Sequence, residues 1–233
     1  MLNKNVRNTL NTLTKITNTV VFKYPVTHLT DFEKTCVVQL DISKLDKDSF
    51  ESDFAIGDVK TLLNAYNITG ENTETSLKDQ VLELNGDEFK IKFLTSDLDF
   101  YSENYGVKDD IFDRITSADK MASLEISANN LQKIIKSSDI LGLNSVFMSP
   151  EKKAILVQIS EKTNSSNQVK VTIPAEVSNE MDVIELNVGL LKNIPNGDYV
   201  FDLYKNAKGK YAFVLTSEDL DFLKIMLSVQ VKD

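Results

Sequence analysis

Residues 89–100 read FKIKFLTSDLDF, and residues 211–222 read YAFVLTSEDLDF. Leu94-Thr95-Ser96 coincides with Leu215-Thr216-Ser217 at an offset of 121. The same offset carries Asn8, Leu10, Leu13 and Lys15 onto Asn129, Leu131, Ile134 and Lys136. Leu62-Leu63 meets Leu190-Leu191 at 128, so the second half holds a small insertion that is compensated further on. Matching offsets at opposite ends of each half point to a domain written twice.

Each half has the same order: a helix, several strands, a second helix and a closing strand meander. In the first half the pattern predicts a helix over 3–17, strands near 20–24, 36–40 and 49–54, and a second helix over 57–67. Asn85-Gly86 between alternating runs is a strong hairpin signal. The strand ending this half is expected near 98–101. In the second half a helix is expected over 128–141, with Ser127 as N-cap and Gly142 as its C-terminal stop. Strands follow near 144–148, 154–161 and 169–173, then a short helix over 188–193 ahead of Pro195. A last hairpin turns at Lys208-Gly209. The stretch SENYGVKDDIFDRITSADK, residues 102–120, is polar and aperiodic and reads as a connector. The expected division is a first domain at 1–104, a connector at 105–121 and a second domain at 122–233.

A chain of 233 residues suffices for two domains, each with its own core. With 42% hydrophobic and 26% charged residues it has the composition of a soluble globular protein. No apolar run approaches the ~20 residues of a membrane span, and MLNKNVRNTLNTL makes a poor signal peptide. The single cysteine, Cys36, sits beside Val37 and Val38 and is expected as a buried thiol in a reducing compartment.

A net charge of −9 argues on its face against a nucleic-acid binder. Its distribution points the other way. At about 100° per residue, Leu2, Val6, Leu10, Leu13 and Ile16 share one face of the first helix. Lys4, Arg7, Asn11 and Lys15 share the opposite one. On the helix over 128–141, Leu131, Ile134 and Ile135 oppose Asn129, Lys133 and Lys136. Lys60 and Lys192 hold similar places on the two shorter helices. Segments 1–17, 56–68, 127–141 and 187–193 contain seven Lys or Arg and two acids, Asp58 and Asp139. Elsewhere lie 19 of the 26 basic residues and 33 of the 35 acids. Two readings stay open: solvated helix faces, or basic helices gathered on one surface and acidic sheets on the other. The second surface would attract phosphates without reading bases.

Catalytic patterns are weak. His28, the single histidine, has no evident partner for triad or metal chemistry. Cys36 lacks a recognisable base, and the eight glycines form no phosphate-cradling loop. Asp97 with Asp99, and Asp219 with Asp221, would project together from a strand and could hold a magnesium ion. Their occurrence in both halves favours a shared fold element over one active site. No catalytic residue, metal or cofactor is expected.

Four stretches carry a resemblance: LNKNVRNTLNTLTKI at 2–16, DFAIGDVKTLLNAYN at 53–67, LEISANNLQKIIKSSDILGLNSVFM at 124–148 and IPNGDYVFDLYKNAKGKYAF at 194–213. Over nearly its whole length the chain resembles the sliding clamps, or DNA polymerase processivity factors, of T-even-type bacteriophages. The connector departs from that family's pattern, being more acidic and lacking its prolines. The resemblance implies an α+β DNA-clamp fold: two similar domains, each with two helices packed on antiparallel sheets, assembling as a homotrimer into a pseudo-sixfold ring. It implies duplex DNA encircled without sequence preference, with Lys4, Arg7, Lys15, Lys60, Lys133, Lys136 and Lys192 facing it. The implied partners are the replicative DNA polymerase, an ATP-dependent clamp loader and late-transcription factors, in the bacterial host cytoplasm during infection, with no membrane. Subunits are expected to join through Leu98, Phe100 and Tyr101 of one chain and Val169, Val171 and Ile173 of the next. A partner-peptide pocket is expected at Val107, Ile111, Phe112 and Ile115, with Phe112 as the direct contact. The competing reading is a phage structural or assembly β-protein with a duplicated domain and no DNA channel.

Overall fold

The computed structural model describes residues 2–45, 52–160 and 168–232. The chain divides into two compact units, Met1–Lys108 and Asp109–Asp233.

The first unit opens with α1 (Lys4–Leu13), followed by β1 (Val20–Phe22), β2 (Val26–Thr30), β3 (Cys36–Asp41) and the single turn α2 (Ile42–Leu45). Then come β4 (Phe54–Ile56), α3 (Val59–Thr69), β5 (Glu74–Lys78), β6 (Val81–Asn85), β7 (Lys90–Leu94) and α4 (Leu98–Tyr105). Its strands form two antiparallel sheets, in the orders β3-β2-β1-β4 and β5-β6-β7. The start of α1 is set by Asn3, whose side chain accepts from the Val6 amide at 3.0 Å. Val6, Leu10 and Leu13 then fall on one face and are buried. The α3 helix, capped by Asp58, contributes Leu62, Leu63 and Tyr66 to the same core. The two helices pack together.

The second unit contains α5 (Ile111–Thr116), β8 (Asp119–Ile126), α6 (Ala128–Leu141), β9 (Ser145–Glu151), β10 (Ala154–Ile159) and β11 (Val169–Val177). These are followed by β12 (Ile184–Asn187), α7 (Val188–Asn193), β13 (Tyr199–Lys205), β14 (Tyr211–Thr216) and β15 (Leu223–Val231). From β8 onward this is one motif twice over: a strand, a helix and three strands. The strands run in the order β12-β9-β10-β11-β8-β13-β14-β15, and β12 also pairs with β15 through Ile184–Val231 and Glu185–Gln230. Here too the two helices, α6 and α7, pack against each other. Ser127 accepts from the Asn130 amide at the start of α6. Gly142 closes α6 in the left-handed region, at φ 65°, where a side chain would be strained. Ser127→Ala should lower stability by about 1 kcal/mol, read as a shift of the urea midpoint. An unchanged midpoint would mean the cap contributes nothing.

The order of elements recurs in the two units, but one of the sequence matches between the halves is not an equivalence. Offset 121 aligns α1 with α6, and offset 128 aligns α3 with α7; both pairs hold the same place in the topology. The Leu-Thr-Ser match instead aligns the end of β7, the third strand after α3, with the end of β14, the second after α7.

Several expected elements differ. The first helix ends at Leu13, leaving Lys15 in the following turn. Of the strand expected at 49–54, residues 49–51 lie outside the described residues, and β4 begins at Phe54. Glu161, the expected end of the strand from 154, also lies outside them. The strand expected at 98–101 is α4, because Asp97 caps it through the Phe100 amide and Asp99 adds a charge to its first turn. The hairpin at Asn85-Gly86 turns through four residues, closed by the Gly86 amide on the Phe89 carbonyl at 2.9 Å. The stretch read as a connector is not featureless: it holds the end of α4, all of α5 and the start of β8.

Candidate nucleic-acid interface

In the first unit Lys4 and Lys60 are exposed and Arg7 is half-buried. Lys4 Nζ lies 2.7 Å from the Glu71 carboxylate. Arg7 Nη2 donates to the Glu71 carbonyl at 3.3 Å, and its guanidinium lies 4.8 Å from the centre of the Tyr66 ring. Tyr66 is itself buried, which pushes its phenol up to about 12, and it hydrogen-bonds Thr75. Lys60 follows the cap residue Asp58, whose carboxyl is held below its usual range, chiefly by the Thr61 hydroxyl.

In the second unit Lys133 and Lys136 of α6 are exposed, one turn apart. Neither has an ion-pair partner among the described residues. Lys192 of α7 is half-buried and pairs with Asp139 of α6. Each helix pair thus presents cations away from its apolar core. Sequence periodicity located that face but could not see Glu71 and Asp139 across from it.

The remaining expected sites are placed as follows. Val169 and Val171 on β11 are each 36% exposed, whereas Ile173 is buried. Residues 169–174 of β11 pair with β10 on one side, and β8 takes only 175–177. Among the described strands of this unit, nothing pairs with the other edge of 169–174. Leu98, Phe100 and Tyr101 lie on α4 and offer no strand edge. The open apolar edge of the first unit is β7, which pairs only with β6 in its sheet and leaves Leu94 71% exposed.

Phe112 is 4% exposed and belongs to the core beneath α5 rather than to a surface. Ile111 and Ile115 instead line a cleft of about 670 Å³, with Tyr211, Met226 and Val229 from the sheet. Arg114 and Lys210 also line it, while Asp109, Asp110 and Asp113 do not. Val107 lies in the first unit and is half-buried.

The acid pairs are not strand pairs. Asp97 caps α4, and Asp219 and Asp221 lie in the turn between β14 and β15. Among the described residues no group of three or more His, Cys, Asp or Glu could hold a metal ion. Cys36 is buried, which pushes its thiol up to about 12, far from a reactive thiolate. Among the described residues no helix is long and apolar enough to cross a membrane.

No protein-family model and no curated protein matches the chain at the level of sequence. Solved structures do match it. PCNA from Thermococcus kodakaraensis superposes with a TM-score of 0.66 at 14% identity, over 96% of this chain and 95% of that one. A. fulgidus PCNA, bound to the C-terminal region of FEN-1, gives 0.64 at 12% identity, over 97% and 95%. The DNA polymerase sliding clamp from Pseudomonas aeruginosa gives 0.58 at 10%, over 92% of this chain and 57% of that one. The chain therefore has the sliding-clamp fold.

Proposed function

We propose that this chain is a sliding clamp, a ring-forming subunit that encircles duplex DNA and tethers a replicative polymerase to it. The observation that carries this reading is the placement of cations on the outward faces of paired helices in both units of a sliding-clamp fold. A surface of Lys, Arg and Asn contacts the backbone of any sequence. An acidic remainder repels DNA elsewhere. A closed ring cannot leave the duplex without opening, so individual contacts can be weak and water-mediated. Holding the polymerase nearby raises its effective concentration at the primer end. No catalytic group is required.

On this reading, chains of two similar units close as a homotrimer with helices inside and sheets outside. The joint runs between β7 of one chain and β11 of the next, both open apolar edges. An ATP-dependent loader opens the ring, and late-transcription factors dock on it. Its setting is the host cytoplasm during infection by a T-even-type phage. Negative-stain images should show six-lobed rings with a central hole; solid or filamentous particles would instead support a structural assembly protein.

The cleft beside α5 is the proposed peptide site. Its apolar walls suit an aromatic or aliphatic anchor, and Arg114 and Lys210 suit acidic residues flanking it. Ile111→Ser with Ile115→Ser should weaken binding of the polymerase's C-terminal peptide by about 2 kcal/mol, measured by calorimetry. Phe112→Ala should lower stability instead, by about 3 kcal/mol. Unchanged peptide affinity in the isoleucine variant would move the site elsewhere.

A further inference from the structure

Between α1 and α3 the first unit has an open cleft of about 250 Å³. Lys4, Arg7, Asn8 and Asn11 line it from α1, with Tyr66 and Glu71 opposite. Both cations are engaged through Glu71: Lys4 by its carboxylate, Arg7 by its backbone carbonyl. Arg7 Nε is buried and has no hydrogen-bond partner among the described residues. The guanidinium is held over the Tyr66 ring, so its position is set before any ligand arrives. The Glu71 carboxylate thus takes an anion's place beside Lys4, with the Arg7 charge nearby.

We propose that the Glu71 carboxylate is an internal stand-in for a DNA phosphate, competing with the duplex backbone for Lys4 beside Arg7 and so weakening the grip of this helix pair. The inference rests on the reading of the helices as the DNA-facing surface. Lys4 and Glu71 are 63% and 79% exposed, and an ion pair so exposed is easily exchanged. A passing phosphate displaces the carboxylate, and the carboxylate returns when the phosphate moves on. The hydrogen bond from Lys4, and then its charge, hold the Glu71 carboxyl below its usual range. The stand-in therefore stays ionised near neutral pH. Asp139 engages Lys192 in the second unit in the same way. For a ring that must slide, the arrangement offsets the charge of Lys4 and shortens the life of its contact with any one phosphate. Lys133 and Lys136, which no acid engages among the described residues, remain the constant part of the attraction.

The test is a titration of the ¹⁵N-labelled full chain with a short blunt duplex across a salt series, followed by NMR. Glu71→Gln is nearly isosteric at an exposed position, so the fold should hold, as thermal denaturation will check. It should bind several-fold tighter at low salt. Its salt slope should steepen by about 0.9 as the freed Lys4 neutralises one further phosphate. Asp139→Asn should act in the same direction. If Lys133→Glu with Lys136→Glu weakens binding but Glu71→Gln binds no tighter than the native chain, the stand-in role is overturned and the DNA-facing surface survives. If the lysine variant also binds like the native chain, the DNA reading falls and the stand-in role falls with it.

Discussion

Lys133→Glu combined with Lys136→Glu is expected to remove most of the chain's hold on duplex DNA while leaving its fold intact. Both side chains are exposed on α6 and lack an acidic partner among the described residues, so reversing them breaks no ion pair seen there. The helix keeps its Ser127 cap and its buried Leu131 and Ile134. The effect is electrostatic and depends on counterion release. Affinity should fall by roughly tenfold or more at low salt, and the salt slope should become shallower by about 0.9 for each phosphate that is no longer neutralised. The gap to the native chain is widest in dilute buffer and narrows as salt rises. Circular dichroism checks the fold and duplex titration reads the affinity. Equal affinity at every salt concentration would remove α6 from the DNA-facing surface.

Leu94→Asp or Val171→Asp should convert a trimer to monomers. Leu94 on β7 is 71% exposed and Val171 on β11 is 36% exposed, so each tolerates a carboxylate in the separate chain. At a joint of paired edges the carboxylate would be buried without a partner. That costs about 2 kcal/mol, roughly thirtyfold, at each joint, and a closed homotrimer repeats the joint three times. Sedimentation over a dilution series is the measurement. If the native chain is a trimer and both variants remain trimers at the same dilution, the β7–β11 pairing is wrong.

The helices were the most legible part of the fold. For α6, cap, apolar period and stop signal all lie within the segment itself, and its predicted limits match those observed. The same holds for the limits of α7 at Val188–Asn193. The residues at 98–101 misled because they follow the alternating strand β7; the deciding feature was Asp97 as a helix cap rather than a partner for Asp99. In the stretch read as a connector, the polar pair Asp119-Lys120 opens β8 and masks the largely buried run that follows. Strands such as β5, whose side chains are alternately exposed and half-exposed, carry little hydrophobic signal.

The candidate site divides in the same manner. By itself the sequence determined which helix faces are apolar and which bear Lys4, Arg7, Lys60, Lys133, Lys136 and Lys192, because an α-helix's period projects sequence directly onto a face. It also showed a repeat between the halves, with α1 and α6 related at an offset of 121 and α3 and α7 at 128. Only the tertiary structure decided which cations are engaged. Lys4 meets Glu71 from 67 residues away, and Lys192 meets Asp139 from 53; those encounters exist because α1 packs on α3 and α6 on α7. The inward turn of Phe112 and the open edge of β11 were decided there as well. Burial and strand pairing are properties of neighbours, and the neighbours of α5 and β11 come from distant parts of the chain.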